Sequence, residues 1–193
     1  MSTIGGGFGV KKVGITVFGN EFREIPANDF RIDDIVIERV QAAVGRGFVV
    51  RKIAVVQGAL DSYRPDLLLG LGAAEAKETV KKVAGSTRCE RYFVMTKAAA
   101  KFHGNQDMEG VGIIADSALF GRRIEVHAIV RIRIHDGHTF ELVKNSVALQ
   151  ARPLKDFQWP ETPEAVNTPA VRAAARSLLA EELDKTLQRM LAP

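Results

Sequence analysis

Residues 123–135 alternate with period two, and no other stretch constrains the fold so tightly. Ile124, Val126, Ala128, Val130, Ile132 and Ile134 fall on one face. Arg123, Glu125, His127, Ile129, Arg131, Arg133 and His135 fall on the other. Successive side chains of a strand point to opposite sides of a sheet, so the pattern predicts a long strand with one face on a core. Asp136-Gly137 follows as a hairpin turn, and residues 139–149 return antiparallel. A two-residue loop would set Arg133 opposite Phe140. A longer loop, with Gly137 left-handed and a bulge, would set Ile134 opposite Phe140 and Arg133 opposite Glu141. The second register groups apolar with apolar and pairs the charges, and it is the one expected. Residues 108–115 are expected to pair on the other side of the long strand.

The remaining elements follow from periodicity and breakers. Residues 10–18 are β-rich and close at Gly19-Asn20. Ile32, Ile35, Val36, Val40, Ala43 and Val44 recur at helical spacing, with Asp33 and Asp34 at the dipole-positive start and Gly45 at the stop. Residues 49–56 predict a short apolar strand. Residues 73–83 predict a second helix, stopped by Gly85, and residues 91–96 the next strand. Thr168 is the N-cap and Pro169 the first turn of a closing helix whose stripe runs from Val171 to Leu191. The expected fold is a single α/β (α+β) domain over residues 1–193. It has a mixed sheet of about five or six strands with two or three helices packed on it, in the order β-α-β-α-β-β-β-β-α. Residues 152–167 serve as an ordered, proline-containing linker.

Composition narrows the function classes. The 193 residues are 46% hydrophobic and 26% charged, which excludes a disordered or collagen-like chain. One cysteine, Cys89, forbids an intrachain disulfide. No apolar run reaches the roughly 20 residues of a membrane-spanning helix. Lys plus Arg number 27 against 23 Asp plus Glu, a net charge of +4. That excess falls short of the clustered stripe of a dedicated nucleic-acid binder, so nucleic acid is not the expected partner. The N-terminus shows no basic segment followed by an apolar one. The expected compartment is cytoplasmic as the sequence stands, and periplasmic if an export signal has been removed.

Chemical motifs are mostly incomplete. Gly5-Gly6-Gly7-Phe8-Gly9-Val10 resembles a kinase glycine loop, but the other kinase segments are missing. Gly70-Leu71-Gly72 opens a helix like a dinucleotide fingerprint, yet Glu75 stands where a small residue is required. Residues 46–50 begin like an RNA-recognition signature but lack its stacking aromatics. His127 and His135 lie about 26 Å apart along an extended strand and cannot share a metal ion. His135 and His138 are expected to be exposed turn histidines. Cys89 has no local histidine and is expected to be inert. No catalytic residue, metal or cofactor is assigned. What remains is Arg123, His127, Arg131 and Arg133 on one strand face. That row is either a solvated face balanced by Glu125 and Glu141 or an anion- or partner-binding surface.

The run Val13-Gly14-Ile15-Thr16-Val17-Phe18-Gly19-Asn20, followed by Ile32-Asp33-Asp34, resembles a family of uncharacterised proteobacterial proteins. Residues 132–140 are similar to that family's strand-Asp-Gly-x-Thr hairpin. More remotely, the layout looks like the α/β domains of bacterial envelope accessory proteins: the curli-secretion lipoprotein, the penicillin-binding-protein activator and the N-terminal domain of the Tol-Pal translocation protein. Their hairpin has Gly where this chain has Phe140. The resemblance implies a non-catalytic module that binds other proteins or its own copies, engaged at a sheet edge or at the Arg131–Arg133 face. The alternative expectation is a small-molecule or nucleotide-binding enzyme using the Gly70–Gly72 loop.

Overall fold

The alternating segment is the spine of the sheet. The computed structural model describes residues 1–14, 20–56, 58–60, 62–63, 72–102, 106–116 and 123–192, with the side chains of residues 102 and 106 excepted. In chain order the elements are β1 (Phe8–Val13), β2 (Glu21–Ile25), α1 (Ile32–Val44), α2 (Ala73–Ala84), β3 (Arg91–Lys97), β4 (Ala99–Phe102), β5 (Gln106–Asp116), β6 (Arg123–Asp136), β7 (Leu142–Pro153) and α3 (Pro169–Leu191).

One edge of β6 is taken by β7, antiparallel. The other edge is shared end to end: residues 123–129 pair with β5 and residues 130–136 with β3, both antiparallel. β1 lies parallel on β5, and β2 pairs antiparallel with β1. β4 pairs with the first part of β5. The chain leaves β3 at Ala98, whose N–H donates to the Ile129 carbonyl while its own carbonyl accepts from Gly110, where φ is +66°.

The even positions of β6 face α1 and α3. Ile132, Ile134, Ile113, Val10, Leu178, Leu183 and Leu187 belong to this first core, anchored by Phe8 stacked on Phe30 with ring centroids 4.2 Å apart. The Thr168 hydroxyl accepts from the Val171 N–H at 3.2 Å, with Pro169 opening the helix, as the sequence predicts. α1 ends at Gly45, φ +79°. The opposite face carries a second core of Leu60, Tyr63, Tyr92, Val94 and the α2 residues Ala76, Val80 and Ala84. A third cluster gathers Val13, Met108, Ile114 and Ile129. The expected class holds: one domain, a mixed sheet, helices packed on it. Among the described residues the strands number seven and the α-helices three.

Four expectations need correction. The first strand begins at Phe8 and ends at Val13, and residues 15–19 lie outside the described ones. Residues 49–56 form no strand. Val50 packs against the first core and Ile53 and Val55 against the second, so the segment crosses from one face of the sheet to the other. Gln41 of α1 pins its start, accepting from the Val50 N–H and donating to the Phe48 carbonyl. A chain changing layers cannot keep register with a strand edge.

The β6–β7 register is shifted by four residues from the expected one, with Arg133 opposite Asn145 and Ile134 opposite Lys144. Phe140, not Gly137, takes the left-handed position, φ +60°. Its ring stacks on Tyr92 of β3, centroids 5.5 Å apart, which draws it out of the ladder. Gly137 serves close approach instead: a Cβ there would sit 1.7 Å from the Cys89 carbonyl oxygen. The last correction concerns the odd face of β6, which is covered. Glu125, His127, Arg133 and His135 are 2%, 3%, 6% and 1% exposed.

Candidate functional site

β3 pairs with β6 along one edge over its whole length, Arg91 to Lys97, and its alternation decides what the other edge offers. Met95 turns its backbone away from β6: its N–H donates to the Met1 carbonyl and its carbonyl accepts from Thr3, each at 3.0 Å. Ser2 and Met95 thus form a parallel bridge. Residues two apart on a strand share an orientation, so Phe93 and Arg91 also face outward. The Phe93 carbonyl accepts from the Met1 amino group at 3.1 Å. Neither the Arg91 nor the Phe93 N–H has a backbone partner among the described residues beyond β6.

That open stretch borders a groove of about 560 Å³. Val36, Val40 and Ala43 of α1 form one wall, residues 47–53 the other, and Tyr92, Phe93 and Met95 the side along β3. The volume falls in the range of real ligand sites. Phe48 is 54% and Val49 82% exposed, so the second wall presents large apolar surface to solvent. Charge is uneven around it. Arg51, Lys52, Arg88 and Arg91 line the groove against the carboxylates Asp33 and Glu90. Lys52 is bound to Asp33 at 3.3 Å and Arg91 to Asp136 at 2.5 Å. The Ser2 hydroxyl and the Met1 amino group also line the groove, and its thiol, Cys89, is half-buried.

The residues singled out by sequence do not meet at this groove. Arg123 is exposed and paired with buried Glu125 at 2.7 Å. His127 lies against Gly112, where an added Cβ would sit 2.8 Å from its Nε2. Among the described residues neither ring nitrogen of His127 meets a hydrogen-bond partner in good geometry. Burial pushes its pKa down to about 4, with Lys11 adding and the Glu109 carbonyl opposing. Arg131 is half-buried. Arg133 donates toward Thr96 Oγ1 at 3.5 Å and lies over the Tyr63 ring, 5.0 Å from its centroid. These four therefore do not form an open basic face. His135, expected at the surface, is enclosed by Tyr63 and Phe140, and burial lowers its pKa. Gly72 is the N-cap residue of α2, with no side-chain cap. Gly70 and His103 lie outside the described residues.

The sequence expectation of a docking sheet edge did not single out β3. The signal available was the β-rich run 48–56, a strand pattern whose pairing partner no spacing identifies. No described helix is long and apolar enough to cross a membrane.

No protein-family model matches the chain. No curated protein matches it either. Among solved structures it is similar to a protein of Xanthomonas campestris described under the family DUF330, at 12% identity and a TM-score of 0.45, over 98% of this chain and 78% of that one.

Proposed function

We propose that the protein is a non-catalytic binding module that takes an extended segment of a partner protein along the outward edge of β3. The observation that carries this reading is the half-used edge. Residues 1–3 already lie parallel on β3 at Met95, while the Arg91 and Phe93 amides face an apolar groove with no strand beside them. An incoming strand would satisfy those groups with main-chain hydrogen bonds and seat alternate side chains against α1 and residues 48–53. The exposed Phe48 and Val49 would be covered in the process. The resemblance to envelope accessory domains agrees with a protein-binding role and points to the cell envelope as its setting.

The test is a groove-filling substitution. Ala43 lines the groove from α1 at the margin of the first core and is half-buried, so the added ring of Ala43→Trp has the groove to occupy. Peptides selected from a displayed library of extended octamers should bind the unaltered protein and lose binding to A43W, whose thermal unfolding stays intact. Equal binding to both proteins would place the contact elsewhere. Self-association abolished by A43W would make the occupant a second copy and not a partner.

A further inference from the structure

We infer, on the reading just given, that the segment seated in the groove carries an acidic side chain received by Arg51 and Arg88. Four cationic side chains line the groove against two carboxylates. Lys52 is engaged by Asp33 and Arg91 by Asp136, which lies outside the lining. Arg51 and Arg88 are exposed and form no ion pair among the described residues, while Glu90 is the one lining carboxylate not spent on a lysine. The surplus is therefore positive and sits on guanidinium groups, whose planar fork fits a carboxylate with two parallel hydrogen bonds. The same groove offers outward backbone amides at Arg91 and Phe93, which a polypeptide main chain satisfies and an acyl chain does not. An anion joined to an extended apolar chain with its own amide groups meets all three features, and an acidic peptide segment is that molecule.

The probe is a capped octapeptide of alternating valine and threonine with one central glutamate, compared with its glutamine twin. In low salt the glutamate peptide should bind about 3- to 10-fold more tightly, the scale of one or two exposed ion pairs. The preference should shrink at high salt and vanish in the double variant Arg51→Gln, Arg88→Gln, with the glutamine twin binding that variant as before. Equal binding of the twins, with both still excluded by A43W, would overturn the acidic preference and leave the groove reading standing. No binding of either would overturn both. Arg-dependent binding to phosphatidylglycerol vesicles in place of the peptides would assign the positive charge to a membrane surface and contradict the inference.

Discussion

Tyr63 and His135 are joined by a hydrogen bond of 2.5 Å, Oη to Nε2, in the second core. The direction follows from the other ring nitrogen. His135 Nδ1 lies 2.9 Å from the Phe140 carbonyl, which can only accept, so Nδ1 carries the proton and Nε2 accepts from the tyrosine hydroxyl. The pair ties the 58–63 segment to β6 and to the turn before β7. Tyr63→Phe keeps the ring under Arg133 but leaves a buried acceptor unmatched. It should cost about 1–3 kcal/mol in urea unfolding with an unchanged m-value. A loss indistinguishable from zero would mean that the bond contributes nothing net.

Buried histidines give the fold an acid limb. Burial disfavours the imidazolium of His127 and His135 and lowers both pKa values, that of His127 to about 4. The unfolded chain then binds protons first. Stability is complete above the free histidine value of about 6.5 and is lost as pH falls from there. For His127 the loss down to pH 4 should be on the order of 3 kcal/mol. Asp136, held at about 2 by the Thr139 and His138 N–H groups, adds an acid loss only below the ordinary carboxylate range, so the windows are separate. Equilibrium unfolding of His127→Gln should show a flatter profile between pH 6.5 and 4; a slope equal to that of the unaltered protein would exclude His127 as its source.

Two glycines should respond differently to alanine. At Gly112 a Cβ would lie 2.4 Å from the Gly9 carbonyl oxygen and 2.7 Å from His127 Cε1. Relief requires β1 to move off β5, so Gly112→Ala should cost about 3 kcal/mol. Gly45 has nothing within 4 Å of an added Cβ, and only its φ of +79° resists a side chain. Gly45→Ala should cost about 1 kcal/mol. Thermal denaturation of both variants side by side checks the order, and a reversed order would contradict the packing described.

The closing helix depends on its cap. Thr168→Ala removes the acceptor for the Val171 N–H and should cost about 1 kcal/mol, while Thr168→Ser should retain most of the stability. Equal losses in the two would assign the effect to the threonine methyl group.

The elements that announce themselves in the sequence are those whose signals are local. α1 carries its stop in Gly45 and α3 its start in Thr168-Pro169, and β6 its alternation. What escaped is set by distant partners. Glu125, His127, Arg133 and His135 carry polar groups suited to solvent, yet all four are buried, with Tyr63 against Arg133 and His135 and Gly112 against His127. The turn misled because Asp-Gly suggests a left-handed glycine, whereas Cys89 presses on Gly137 and Tyr92 holds Phe140. The groove was invisible for the same reason. Residues 48–56 have the composition of a strand, and only the tertiary path shows that they cross layers and leave β3 open.

Hydrogen exchange along β3 tests the open edge most directly. Tyr92, Val94 and Thr96 point their amides at β6, and the Met95 amide is bound by Met1, so these four should exchange slowly. Arg91 and Phe93 should exchange within about tenfold of an unprotected amide, and both should slow when the glutamate octapeptide saturates the groove. Protection of Arg91 and Phe93 in the free protein equal to that of Val94 would mean that the edge is already occupied, and the account of a strand-accepting groove would fail.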